Sequence, residues 1–181
     1  MPETVREPLE LDDAIVLLLG SPSERLQEGE LQGVTRLEKL VFLLERETSA
    51  KNWLSESADF RPYNYGPFSA KVYQAVDMLS AAGLIVDSKR KADTEDDTWE
   101  KRNVIGSNED PYTTRDFRLT DRGWRYYSAI RKNLVPEQLA ELSSFKETFA
   151  TISLRQLVRY VYERYDDFTS KSFIRDSVLG R

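Results

Sequence analysis

The chain has 181 residues, 26 Lys and Arg against 31 Asp and Glu, a formal charge of −5, and neither His nor Cys. Those two absences exclude a Ser-His-Asp or Cys-His catalytic pair, a Cys/His zinc site and a disulfide framework. A length in this range fits one domain, or one domain with an extension, and the longest unbroken apolar run, Ala14 to Leu19, is far short of the ~20 residues of a membrane helix.

The charge is unevenly spread. Residues 1–60 hold 6 basic and 13 acidic side chains, a net of −7, and residues 61–181 hold 20 and 18, a net of +2. Within the second part, 91–111 holds 3 basic and 7 acidic residues, so the remainder stands at 17 against 11, or +6. An acidic balance opposes bulk nucleic-acid binding but leaves room for a local basic face. Met1-Pro2-Glu3 lacks the basic and apolar regions of a signal peptide. A cytoplasmic protein with no membrane association is expected.

Residues 11–19 read as a short buried helix ended by Gly20 and Pro22, and the polar 21–33 as a loop. Thr35 with Glu38 fits a capping box for the next helix, whose Leu37, Leu40, Val41 and Leu44 form one apolar face. Phe42 and Leu43 widen that face and imply contacts on two sides. Residues 60–68 form an aromatic turn that Gly66-Pro67 keeps from being helical.

Ser69 is a plausible N-cap for a helix over 69–82, with Val72, Val76 and Leu79 inward and Gly83 at its C′ position. Leu84-Ile85-Val86 and Phe117-Arg118-Leu119 read as two strands of a hairpin with a long polar tip. Thr120 caps a helix that buries Trp124, Tyr127 and Ile130. Pro136 starts another, with Leu139, Leu142, Phe145 and Phe149 inward. Ser153 caps a further one that carries Leu154, Leu157, Val158, Val161 and Tyr165, and 170–179 form a short last helix.

Helices followed by helix–strand–loop–strand give a mainly α protein with a winged helix-turn-helix core, a two-stranded wing and a C-terminal helical extension. The expected division is a winged-helix-like domain over 1–132 and the extension over 133–181. The helix at 69–82 is the candidate recognition helix.

Four segments carry a family resemblance. They are Gly33-Val-Thr-Arg-Leu-Glu-Lys-Leu-Val-Phe-Leu-Leu44, Tyr63-Asn-Tyr-Gly-Pro-Phe-Ser69, Gly83-Leu-Ile85 and Leu119-Thr-Asp-Arg-Gly123. Together with Leu157-Val-Arg-Tyr-Val-Tyr-Glu-Arg-Tyr165 and Lys171-Ser172, they resemble the YwgA-type family of uncharacterised bacterial and archaeal winged-helix-like proteins. More remotely, Tyr65-Gly66-Pro67 before a helix resembles the SocA/Panacea antitoxin family. That second likeness implies a regulatory or binding module that engages protein partners. The long insertion at about 90–112 departs from the usual pattern.

Two surfaces are candidates. Arg115, Arg118, Arg122, Arg125, Arg131 and Lys132, against Asp116 and Asp121, could meet phosphates, because guanidinium forks suit phosphate oxygens. The competing reading is a solvated helix face with Arg side chains covering aromatics. Ser69, Lys71 and Gln74 could face a groove from the candidate recognition helix. Tyr63, Asn64, Tyr65 and Phe68 could anchor a protein partner, or else the aromatics pack inward around Gly66. The carboxylates Asp93, Glu95, Asp96, Asp97 and Glu100 read as a solvated loop rather than a cation site. Trp99 and Val104-Ile105 within it could pack on a neighbouring subunit.

No catalytic residue, metal or cofactor is expected. The first functional expectation is a non-catalytic, dimeric DNA-binding or DNA-associated regulator. The second is a protein–protein interaction module, antitoxin-like or part of a larger complex.

Overall fold

The computed structural model describes residues 6–63, 66–88, 90–91, 113–169 and 175–180. The molecule is mainly helical, with small antiparallel sheets. In chain order the described elements are α1 (Leu11–Gly20), β1 (Glu30–Gln32), α2 (Val34–Glu47), a 3-10 turn (Ser49–Asn52), β2 (Arg61–Tyr63), β3 (Gly66–Phe68) and α3 (Ala70–Ala81). Then come β4 (Ile85–Asp87), β5 (Arg90–Lys91), β6 (Thr113–Thr114), β7 (Asp116–Leu119), α4 (Asp121–Ile130) and a 3-10 turn (Arg131–Asn133). The last are α5 (Pro136–Phe149), α6 (Leu154–Arg164), α7 (Asp166–Thr169) and α8 (Arg175–Leu179).

The expected hairpin forms. β4 pairs antiparallel with β7, Val86 opposite Arg118, and β5 with β6 continues it outward. The acidic residues Asp93 to Glu100, with Trp99 and Val104-Ile105, lie outside the described residues, as do Phe173 and Ile174. A third strand joins the sheet where the sequence reads as loop. β1 pairs with the other side of β7, Leu31 opposite Phe117, so the order is β1-β7-β4. Three residues are too few to display a period-2 pattern, which is why the strand does not declare itself.

α2 is the central element. Every residue from Thr35 to Leu44 is buried, so the two-sided contact implied by Phe42 and Leu43 is realised all the way round. Its start corrects the capping box expected at Thr35. The N-cap is Gly33, whose N–H donates to the Arg115 carbonyl at 3.0 Å and to Asp116 Oδ1 at 3.1 Å. Thr35 sits buried inside the helix rather than at its N-cap, and Glu38 is wholly inaccessible. Caps at Ser69, Thr120 and Ser153 form as read: each hydroxyl accepts from a first-turn N–H. Gly83 follows α3 with φ +74°.

Four of the charged side chains buried among the described residues each close a join between elements. Lys39 Nζ donates to Glu38 Oε1 and to the Pro67 carbonyl, both at 2.8 Å, and the Ser69 N–H donates to Glu38 Oε2 at 3.3 Å. The pair therefore clamps β3 and the start of α3 onto α2. Burial pushes the Glu38 carboxyl above the usual carboxylate range, and Lys39 opposes that shift. Lys146 of α5 donates to the Leu19 and Ser21 carbonyls at 2.8 Å each, closing the end of α1. Arg36 reaches Ile152 O at 2.5 Å, fastening α2 to the α5–α6 turn.

The aromatic turn becomes the hairpin β2–β3. Gly66 has φ +95°, and a Cβ there would lie 2.8 Å from a ring carbon of the fully buried Tyr162. Backbone angle and close approach both demand glycine. α6 thus packs on this turn, and one continuous core runs from α1 through α6.

Two outcomes test this scheme. Lys39→Met strands Glu38 in the core and is expected to cost about 3–5 kcal/mol in urea unfolding, whereas Glu38→Gln with Lys39→Met costs much less than the sum of the singles. The second concerns Lys146, which burial depresses from 10.5 to about 8. Between those values the unfolded chain holds a proton that the folded chain has released, so its contribution to stability rises with pH and is lost as pH falls through 8. Stability relative to Lys146→Met, measured from pH 7 to 10, is expected to climb by at most about 3 kcal/mol.

Candidate functional site

α3 and the hairpins on either side of it hold most of the sequence candidates, and the structure separates them into two groups. The first group is consumed by the fold. Ser69 is buried; its hydroxyl donates to Ala58 O at 2.5 Å and accepts from the Val72 N–H at 3.3 Å. It cannot contact nucleic acid, because both roles face inward.

Arg115 leaves the phosphate-contact set for the same reason. Its side chain is 5% exposed, with Nε donating to Asp87 Oδ2 and Nη2 to Asp77 Oδ1, each at 2.8 Å. Asp87 is buried while Asp77 is exposed. The guanidinium therefore ties β4 and the base of the hairpin to the outer side of α3. Lys71 is half-exposed but neutralised, 2.8 Å from Asp59 and 3.0 Å from Glu56. Those partners hold its ammonium above the usual lysine range, and the ammonium in turn holds the Asp59 carboxyl below the usual carboxylate range.

The second group is free. Gln74, Arg118, Arg122 and Arg125 are exposed, and the three arginines make no ion pair with any described residue. The two arginines of α4 do not share a face with the start of α3. Arg122 and Arg125 line a depression with Ala82, Leu84 and Tyr126, at the C-terminal end of α3. Lys71 lies eleven residues earlier, roughly 16 Å along the helix axis. The continuous positive face that would unite Lys71, Gln74, Arg115 and Arg118 does not form.

Beside Gln74, α3 offers outward an apolar and an acidic side chain. Met78 is 62% exposed and Asp77 69% exposed. Neither figured among the sequence candidates; Met78 follows the apolar spacing of the buried face and looks like core.

Among the partner candidates, Tyr63 is 42% exposed and Phe68 half-buried, their ring centroids 5.1 Å apart, and Tyr73 of α3 continues the row 5.6 Å from Phe68. Asn64 and Tyr65 lie outside the described residues. No group of three His, Cys, Asp or Glu among the described residues is placed to hold a metal ion. No helix among them is long and apolar enough to cross a membrane.

Comparison with protein-family models, with curated proteins and with solved structures finds no match.

The Arg115 bridge predicts unequal losses. Arg115→Ala leaves Asp87 buried without a counter-charge and is expected to lower unfolding free energy by about 3–5 kcal/mol. Asp77→Asn, at an exposed carboxylate, is expected to cost under about 1 kcal/mol. Equal effects from the two would show that Asp87 does not depend on the bridge.

Proposed function

We propose that this chain is a non-catalytic protein-interaction module built on a winged-helix core, acting in the cytoplasm. The order α1–β1–α2–α3–β4–β7 and the sheet order β1-β7-β4 support the winged-helix reading. The resemblance of the Tyr63–Ser69 turn and its flanking segments to the YwgA-type family, and more remotely to SocA/Panacea antitoxins, supports a binding rather than a catalytic role.

One observation carries the choice of partner class. The outward side of α3, which would enter a DNA groove, bears Asp77 and Met78, and its only cation is held by Asp59 and Glu56. A polyanion gains nothing there, because each phosphate contact needs a cation free to replace a counterion. Exposed apolar and aromatic side chains with few free charges suit a protein surface instead. Tyr63, Phe68 and Met78 are the anchors of this reading. A homodimer belongs to the same proposal, and Met78 and Val86 supply exposed apolar area for it. DNA binding draws its support from the exposed Gln74, Arg118, Arg122 and Arg125.

The test is paired. In a low-salt titration, random-sequence duplex DNA is expected to show no saturable binding into the micromolar range. Tyr63→Ala and Met78→Glu are expected to release proteins that co-purify with the tagged chain while leaving its melting temperature unchanged. DNA binding whose log affinity falls linearly with log salt, and which Arg118→Glu abolishes, would replace this reading with the regulator.

A further inference from the structure

Residues 118–132 hold five cations, Arg118, Arg122, Arg125, Arg131 and Lys132, against one carboxylate, Asp121. This is a dense positive segment in a chain of net −5. Arg122 and Arg125 stand one turn apart on the exposed side of α4. Between them and the α3–β4 turn lies an open depression of about 480 Å3 lined by Ala82, Leu84, Arg122, Arg125 and Tyr126. Its floor is apolar, from exposed Ala82 and half-buried Leu84. Tyr126 is fixed, since its hydroxyl donates to Asp13 Oδ1.

The geometry is built in. A Cβ at position 123 would collide with the Leu84 carbonyl oxygen, so Gly123 lets α4 lie directly against the turn and sets both guanidiniums at its rim. Thr120 anchors the same junction: its hydroxyl donates to the Gly83 carbonyl at 2.6 Å and its N–H to the Leu84 carbonyl at 3.1 Å.

We propose that this depression docks an acidic peptide, with carboxylates on Arg122 and Arg125 and a hydrophobic side chain on Ala82 and Leu84. Charge complementarity names the first half of the ligand. Two guanidiniums on one helix face, neither in an ion pair with a described residue, offer fork geometry to carboxylates. The apolar floor names the second half, and it separates a peptide from a nucleic-acid backbone. A sugar-phosphate chain carries no side chain to bury there, and the nearby outer surface of α3 presents Asp77 to it. This surface is distinct from the Tyr63–Phe68 row, so each can fail alone.

The probe is a short fluorescein-labelled peptide of alternating Glu and Leu, followed by anisotropy. Saturable binding is expected, weakened about tenfold by Arg122→Glu or Arg125→Glu, each of which removes one charge-assisted contact. Ala82→Glu, which places a carboxylate on the exposed floor, is expected to do the same. Tyr63→Ala is expected to leave this affinity unchanged, even where it releases a partner from the other surface. All variants sit at exposed positions, and their melting temperatures check the fold.

Four results would overturn the proposal. One is no binding up to millimolar peptide. The second is equal affinity for a Gln-Leu peptide, which would remove the carboxylates from recognition. The third is an equal loss in Lys51→Glu, which alters net charge by the same amount at a different surface. The last is random-sequence duplex DNA that binds more tightly than the peptide and depends on the same two arginines.

Discussion

A lysine and a glutamate with no solvent exposure at all, side by side on the central helix, decide how the rest of the chain can be arranged. Adjacent residues on a helix point in different directions, so Glu38 and Lys39 can meet only because both bend toward a shared neighbour. That neighbour is the segment Pro67–Ser69, which supplies a carbonyl to Lys39 and an N–H to Glu38. Each charge has lost its water, a cost of several kcal/mol per ion, and the compensation is the mutual attraction plus those two backbone bonds. Move the segment and both charges are stranded. The hairpin β2–β3, the start of α3 and hence the orientation of the whole helix are held to α2 by this requirement.

The same clamp explains why segments far apart in the chain go together. The central helix supplies the ion pair, the Gly-Pro turn supplies its backbone partners, and α6 closes over the turn with Tyr162 against Gly66. The central helix, the Gly-Pro turn and α6 are therefore one physical unit. A change in any of them is felt in the others through a buried charge or a steric limit, not through a chain of intermediates.

Much of this fold is legible in the sequence, and the illegible part has one cause. Apolar spacing marks α2, α3 and α6, because burial of one helix side selects a 3.6-residue period. Ser69, Thr120 and Ser153 announce their helices, because a cap is a local bond that needs only residues three apart. What the sequence conceals is the fate of charges. Arg115 in a run of arginines reads as a surface cation, yet its partners are Asp77 and Asp87, 38 and 28 residues away. Arg36 finds its carbonyl 116 residues on, and Lys146 finds the end of α1 125 and 127 residues back. Each looks solvated in its own neighbourhood, and only folding brings the acceptor. The candidate site is blurred accordingly: Ser69 and Arg115 are buried framework, and Met78 is exposed although its residue type suggests core.

The charges that stay outside follow from the core as strictly as those inside. Gly123, Tyr127 and Ile130, at i, i+4 and i+7, are the buried positions of α4. That spacing puts position 125 on the opposite side and positions 122 and 126 on the flank, whatever residues occupy them. Arg122 and Arg125 point outward because the helix must bury Tyr127, and they border the α3–β4 turn because glycine at 123 allows the helix to lie on it. Arg115, between β6 and β7, turns inward instead and meets two carboxylates. Buried cations have their countercharges or carbonyls within the fold, so they contribute little to the field a partner meets. Around α3 and α4 that field comes from the exposed residues, among them the arginines of α4 and β7, Asp77 and the ion-paired Lys71. A net charge of −5 does not describe that field; it is set by which residues the core had already claimed.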